Sequence, residues 1–215
     1  MRVSKAQSAL NRGKILDMAS KMFCEHGIDG IGIADLMKET GLTHGCLYGH
    51  FESKQALVAA TCTHSLTKSA RRWTRIGRNA ATAKAPRAAI IKHYLGPKHL
   101  RHVGEGCLLA ALATEVVRQD PNTRQAFTDG VRQLAKILAE YSHTASPAQD
   151  LETSLATMAS LVGAIVLARA VDDPQLSEQI LSSTKAALDA DPHDAETASQ
   201  DVGQAVPDGS ISSQG

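Results

Sequence analysis

The sequence is poor in aromatic residues. Phe, Trp and Tyr make up 3% of the 215 residues, whereas hydrophobic residues as a whole make up 43%. Strands favour β-branched and aromatic side chains, so an apolar fraction carried mainly by Ala and Leu favours packed helices. No segment alternates apolar and polar residues for long enough to indicate a strand. The composition therefore predicts an all-α protein.

Paired cysteines and targeting segments are also lacking. The four cysteines include no Cys-x-x-Cys spacing and no secreted disulfide framework, which predicts reduced thiols. The N-terminal residues carry charges without the apolar run of a signal peptide. The longest uncharged run, 153–168, has 16 residues and is shorter than a membrane span of ~20. We therefore predict a cytoplasmic protein that does not enter a membrane.

Motifs for catalysis, cofactors and metals are missing as well. The sequence contains no nucleophile–base pairing and no phosphate-binding loop. His93, His99, His102 and Cys107 do not have the spacing of a standard metal motif. These absences predict a protein that is not an enzyme and needs no cofactor or metal. A helical thiol-redox or metal-sensing protein stays open as the alternative.

What the chain does have is a strong separation of charge. Residues 1–103 contain 17 Lys and Arg against 6 Asp and Glu, a balance of +11, whereas 104–215 contain 6 against 16, a balance of −10. The two halves add to the overall charge of +1. A basic first half indicates contact with a polyanion such as nucleic acid, and an acidic second half indicates another role.

Helical periodicity and helix-ending residues divide the chain into ten segments. Residues 1–10 are polar and are expected to fray, and Gly27 and Gly41 are expected to end the first two helices. The predicted helices lie at about 9–26, 33–41, 44–50, 53–78, 87–95, 97–103, 106–119, 122–143, 149–171 and 174–189. Residues 191–215 are rich in Asp, Gly, Ser, Pro and Gln, which predicts a disordered tail.

Three short helices before one long helix are typical of a helix-turn-helix arrangement, in which the third helix enters the major groove. The run Gly-Leu-Thr-His-Gly-Cys-Leu-Tyr-Gly-His-Phe-Glu-Ser-Lys at 41–54 resembles the recognition segment of TetR/AcrR-type repressors. Upstream, Ile15, Ala19, Phe23, Gly27 and Leu36 match the same pattern, and the detailed match covers 12–60. Several spacings agree at once, which makes the resemblance specific.

The resemblance implies a helix-turn-helix DNA-binding domain at 9–55, joined by the long helix to a helical effector-binding and dimerisation domain at 56–190. It also implies a double-stranded DNA operator as partner. The residues that it assigns to DNA binding are Thr43, His44, Gly45, Cys46, Tyr48, His50 and Lys54. Leu47 and Phe51 are expected in the core. The Thr43 hydroxyl could cap the third helix or bind a phosphate instead.

Two positions depart from the family pattern. Relatives often have a hydroxyl residue before the second helix, and this chain has Ile31 and Gly32 there. The corresponding phosphate contact is therefore not expected. The grip on the DNA backbone is expected to depend more on Lys54 and on basic residues near the N-terminus, such as Arg12.

The second domain is expected to hold a small-molecule effector and to form a homodimer through about 149–189. Its apolar residues are more often plain core than pocket lining. The candidates for effector binding are Cys107, Trp73, Tyr94, Phe127 and Met158. Cys107 stands at a predicted helix start, where backbone amides are expected to lower the pKa of a thiol and favour a thiol-reactive effector.

Overall fold

The structure, a computed structural model, describes residues 4–81, 85–142, 144 and 146–189. All of its regular elements in those ranges are helical. They are α1 Lys5–His26, α2 Ile33–Thr40, α3 His44–Tyr48, α4 Lys54–Ala80, α5 Pro86–Tyr94, α6 Pro97–Arg101, a 3₁₀ turn Val103–Glu105, α7 Leu108–Val116, α8 Pro121–Ala139, α9 Pro147–Ala170 and α10 Pro174–Asp189. The all-α prediction is confirmed, and the predicted tail 191–215 lies outside the described residues.

Two helix limits differ from the prediction by four residues. α1 begins at Lys5 and not at about 9, because the Ser4 side chain accepts a hydrogen bond from the Gln7 amide at 3.1 Å and caps the helix. The expectation of a frayed start up to residue 10 is wrong for the described residues. α8 ends at Ala139 and not at about 143.

The first three helices form a small module around shared apolar residues. Ile15, Ala19 and Phe23 of α1 are buried together with Leu36 of α2 and Leu47 of α3. Gly41 ends α2 in the left-handed conformation with φ +64°, which glycine adopts without a Cβ penalty. This turn sets the angle between α2 and α3.

The long helix α4 packs closely against α8. A Cβ on Gly130 of α8 would lie 2.7 Å from the Leu66 Cβ, a separation that real Cβ atoms do not tolerate. On α4, Gly77 likewise leaves room for the Tyr141 ring. The two helices therefore approach at distances that only glycine permits at these positions.

A carboxylate of α7 holds the turn between α1 and α2. Glu115 of α7 accepts a hydrogen bond from the Ile28 amide, with 2.7 Å between Ile28 N and Glu115 Oε2. The preceding Gly27 has φ +77°, and a Cβ there would lie 2.9 Å from Glu115 Oε1. The turn between α1 and α2 is thus held against α7 by a charge-assisted hydrogen bond.

α9 and α10 form a layer at the other end of the molecule. The Ser177 hydroxyl donates to the Ala168 carbonyl at 2.7 Å, and Arg87 of α5 donates to the Leu188 carbonyl and to Thr157 Oγ1, each at 2.8 Å. By length and composition α9 could cross a membrane, but the core helix of a soluble protein passes the same test. Here Leu161 and Ile165 are buried in the helical core.

Alanine substitutions at Gly130 and at Gly13 are expected to change the free energy of unfolding in opposite directions. Replacing Gly130 with Ala is expected to lower the free energy of unfolding by about 1–3 kcal/mol, because the overlap with Leu66 outweighs the better helix propensity. Gly13→Ala in α1 meets no atom within 4 Å and is expected to raise it by up to about 1 kcal/mol. Urea denaturation of both variants measures the difference, and equal stabilisation by both would contradict the close packing.

Candidate nucleic-acid interface

The third helix presents one apolar face inward and one polar face outward. Leu47 is fully buried and Phe51 is 4% exposed, as expected for core residues. On the opposite side, Tyr48 is 53% exposed, which is unusual for a large aromatic residue. The Tyr48 ring is tilted against the His44 ring with 5.4 Å between centroids. The outer face therefore carries two adjacent ring side chains that can donate or accept hydrogen bonds.

The start of α3 bears on the two roles that the sequence left open for Thr43. Thr43 occupies the N-cap position, but its side chain makes no capping hydrogen bond. The residue is exposed, so the hydroxyl is free to bond to a group outside the chain. This geometry favours the phosphate contact over the cap.

Gly45 and Cys46 differ in how open they are. A Cβ on Gly45 would meet nothing within 4 Å, so the backbone of α3 is accessible there. Cys46 is half-buried, and its thiol faces α1, with Asn11 Nδ2 at 4.0 Å from the sulfur. Of the two, Gly45 has the more open position for a close approach by DNA.

His50 and Lys54 lie where α3 gives way to α4. The His50 amide donates to the Leu47 carbonyl at 2.8 Å, and its half-buried ring lies 6.2 Å from the Phe51 ring. Lys54 is the first residue of α4, after the N-cap Ser53, whose hydroxyl accepts from the Ala56 amide at 3.1 Å. No acidic residue occupies the first turn. A lysine and the free amides of a helix start together form a site suited to a phosphate.

The start of α2 lacks such a site, as the departures from the family pattern predict. Gly32 is the N-cap and makes no side-chain hydrogen bond, while Ile31 is only 6% exposed. A Cβ on Gly32 would lie 3.0 Å from Asp35 Oδ2, so a carboxylate stands over this helix start. That negative charge repels a phosphate.

Sequence reasoning missed how α1 supports α3. The Arg12 guanidinium lies over the Phe51 ring, 5.1 Å from its centroid, in a cation–π contact. Arg12 is exposed, so it also remains accessible to a phosphate. Such a contact joins residues 39 positions apart and leaves no local pattern in the sequence.

Three of the effector candidates lie in one buried cluster. The Trp73 and Tyr94 rings meet edge to face with 5.7 Å between centroids, and the Tyr94 ring meets the His99 ring at 4.4 Å. His99 Nδ1 donates to the Tyr94 carbonyl at 2.6 Å, and Nε2 accepts from the Cys107 amide at 2.9 Å. The Tyr94 hydroxyl has no hydrogen-bonding nitrogen or oxygen among the described residues. Its remaining polar neighbour is the weakly accepting Cys107 thiol.

The expectation of a low pKa for Cys107 is wrong. Cys107 is the N-cap of α7, and the Leu109 and Ala110 amides do favour its thiolate. Burial has the larger effect and raises the pKa of this thiol above its usual value. Burial also raises the pKa of Cys24 and of Cys62 to about 12. All four cysteines are free thiols.

The other effector candidates lie elsewhere in the helical core. Phe127 is partly buried on α8, and Met158 is 5% exposed on α9. Among the described residues no group of three or more His, Cys, Asp and Glu could hold a metal ion. Both ring nitrogens of His99 already make hydrogen bonds, so His99 has no free nitrogen for the metal ion that was considered with His93, His102 and Cys107.

Known proteins resemble the chain in two ways. The profile of "Bacterial regulatory proteins, tetR family" matches residues 15–61. An uncharacterized HTH-type transcriptional regulator of Bacillus subtilis, YvdT, is 39% identical over 54 residues, covering 25% of this chain and 28% of that protein. The chain thus matches little more than a quarter of that relative. The profile match contains most of α1, all of α2 and α3, and the start of α4.

Similarity over the whole length is weaker in sequence and clear in fold. The HTH-type transcriptional repressor DhaR of a Mycobacterium species is 23% identical, covering 82% of this chain and 91% of that one. The crystal structure of a TetR-family transcriptional regulator from Cytophaga hutchinsonii has a TM-score of 0.71 at 20% identity, covering 87% of this chain and 96% of that chain. The similarity to the Cytophaga hutchinsonii structure is a similarity of fold.

The His99 contacts predict a dependence of stability on pH. Burial, reinforced by the charge of Arg169, lowers the pKa of His99 to about 4, from an ordinary value of 6.5. Below pH 6.5 the unfolded chain binds a proton that the folded chain does not, so stability falls as the pH drops from about 6.5 to 4. The full contribution is about 3 kcal/mol.

Urea denaturation at pH 7 and pH 5 tests this with His99→Gln, which cannot titrate. The variant is expected to lose less stability than the wild type between the two pH values. His26→Gln removes an exposed histidine and should keep the wild-type dependence. An unchanged dependence in His99→Gln would contradict the assignment.

Proposed function

We propose that the chain is a one-component regulator of the TetR family that binds a palindromic DNA operator as a homodimer. The observation that carries this proposal is the outer face of α3. Thr43, His44 and Tyr48 are exposed there while Leu47 is fully buried, and Lys54 follows at the start of α4. This arrangement has base-reading side chains between two phosphate-binding groups.

The sign of regulation that the relatives favour is repression. DhaR is described as a transcriptional repressor, and we extend that description to this chain as part of the proposal. No catalytic role is proposed. A cytoplasmic location follows from access to DNA.

An exposed apolar stripe on α9 supports the homodimer. Leu151, Leu155 and Val166 recur at helical spacing and are 40%, 43% and 40% exposed. Gly163 lies on the same stripe, and a Cβ there would meet nothing within 4 Å inside the chain. A second copy of α9 can therefore approach closely at this point, and a two-fold dimer would match an operator with two half-sites.

We propose that a small molecule releases the repressor from its operator. In the buried Trp73–Tyr94–Cys107 cluster, the Tyr94 hydroxyl lies beside apolar rings and has no nitrogen or oxygen partner among the described residues, which suits a largely apolar ligand with one acceptor. A thiol-reactive effector would need the core to open first, because the Cys107 thiol is buried and its pKa is raised.

A gel shift on the DNA upstream of its own coding region tests the DNA-binding proposal. Tyr48→Ala is expected to weaken operator binding by more than about 1 kcal/mol while leaving the thermal unfolding curve unchanged, because the side chain is exposed. Lys54→Gln is expected to reduce the slope of log K against log salt by about 1 per subunit, since it removes one phosphate contact.

Lys136→Gln, which removes an exposed lysine of α8, is the matched control and should bind as the wild type does. A reduced salt slope in Lys136→Gln, with no reduction in Lys54→Gln, would contradict the role of Lys54. Failure of the wild type to bind at low salt would overturn the proposed function.

The dimer is tested by placing a charge in the apolar stripe. Val166→Glu is expected to weaken dimerisation at least tenfold, because a carboxylate would be buried without a partner in the interface. Sedimentation velocity measures the dimer fraction, and the gel shift should weaken in parallel. Gln133→Glu adds the same charge on an exposed position of α8 and should stay dimeric. A dimeric Val166→Glu variant would contradict the α9 interface.

A further inference from the structure

A second site lies outside the apolar cluster, where α1, α4 and the connection from α6 to α7 meet. It is a cavity of about 310 Å³, within the size range of small-molecule sites. Its walls are polar and come from three separate segments of the chain. They are formed by Asp17, Ser20 and Lys21 of α1, by His64, Ser65, Lys68, Ser69 and Arg72 of α4, and by 104–106.

The charges around this cavity leave an excess of positive charge. Asp17 Oδ1 lies 2.7 Å from Lys68 Nζ and 3.0 Å from His64 Nε2, so this carboxylate is already paired. Glu105 Oε2 lies 3.3 Å from Lys98 Nζ. Within the described part of the chain, Lys21 and Arg72 have no ion-pair partner. Two cations without an ion-pair partner in the described residues therefore line the cavity from two different helices, and the Glu105 carboxylate lies near Lys21.

Hydroxyl donors accompany these cations. Ser65 is buried to 6% exposure, and its hydroxyl makes no hydrogen bond to another described group, although it lines the cavity. Ser20 of α1 likewise lines the cavity without such a partner. These hydroxyls open onto the cavity, so a ligand bound there can replace water as their hydrogen-bond partner. Together with Arg72 and Lys21, these donors match the oxygens of an anion.

We propose that this cavity binds a small organic anion that carries a carboxylate or phosphate group. The Arg72 guanidinium would hold two oxygens of that group, Lys21 would neutralise it from the α1 side, and the Ser20 and Ser65 hydroxyls would complete its hydrogen bonds. The cavity is closed in part by glycine backbone. A Cβ on Gly104 would overlap the Lys21 side chain and the Glu25 carboxylate, so the connection lies directly on α1.

The location gives the anion a regulatory effect, and this step rests on the proposed DNA-binding function. α1 belongs to the module that carries α3, whereas 104–106 belong to the larger domain. An anion held between Lys21 and Arg72 would fix the orientation of α1 on α4. It would therefore change operator affinity through the relative position of the two modules.

Isothermal titration calorimetry of the DNA-free protein tests the site at constant ionic strength. The probes are citrate and glycerol 3-phosphate, with glycerol as the uncharged control. At least one anion is expected to bind with a Kd below about 1 mM, and glycerol is expected not to bind. If citrate binds better the group is a carboxylate, and if glycerol 3-phosphate binds better it is a phosphate.

Three variants separate this site from general charge effects. Arg72→Gln is expected to weaken the better anion at least tenfold, whereas Arg71→Gln removes an exposed neighbouring arginine that does not line the cavity and should bind as the wild type does. Glu105→Gln removes a carboxylate from the wall and is expected to strengthen binding by roughly threefold. Equal binding by Arg72→Gln and Arg71→Gln, or no binding of either anion, would overturn the proposal.

The regulatory effect is read separately, from the gel shift with and without the better anion. The apparent operator affinity is expected to change at least threefold in the wild type and not in Arg72→Gln. Anion binding without any change in operator affinity would overturn the proposed coupling, and the cavity would still be an anion site. If the protein binds no operator, the proposed function fails, while the calorimetry still decides whether the cavity is an anion site.

Discussion

The close packing of α4 against α8 is the contact on which the rest of the molecule depends. Leu66 fills the space above Gly130, and Tyr141 fills the space above Gly77, so the two helices have little freedom to slide past each other. Because interiors pack at crystal-like density, a shift at one of these contacts must be accommodated at the other. α4 is also the element that both domains share. It begins with Lys54 beside α3 and carries Trp73 into the buried cluster.

The second constraint is the single strong hydrogen bond between the Ile28 amide and the Glu115 carboxylate. It ties the turn after α1 to α7, whose N-cap is Cys107. The Cys107 amide in turn donates to His99 Nε2. Arg169 of α9 donates in turn to the His99 and Leu100 carbonyls. The helix-turn-helix module and the layer that carries the apolar stripe are therefore connected through α7 by a short chain of hydrogen bonds. A change in the cluster has a continuous physical route to the DNA-facing side.

Much of this architecture could be predicted from the sequence, because the signals are local. Gly41, Leu47 and Phe51 set the turn and the inner face of α3 by spacing alone, and the start of α4 follows from Ser53 and Lys54. Contacts between distant segments could not be predicted. In the sequence, nothing distinguishes Glu115 from an ordinary surface carboxylate, and no local pattern predicts that Arg12 lies over Phe51. The error at Cys107 has the same origin, since a helix start is visible in the sequence whereas burial depends on α4, α5 and α9.

The length of α4 converts small movements into large ones. Lys54 and Arg72 are 18 residues apart on one uninterrupted helix, a separation of about 27 Å along its axis. If α4 pivots near Arg72 by about 5°, the Lys54 end moves sideways by about 2 Å. That displacement exceeds the tolerance of a hydrogen bond, which weakens within a few tenths of an ångström. In the proposed dimer, a rearrangement too small to disturb the core would thus move both α3 helices out of register with successive major grooves.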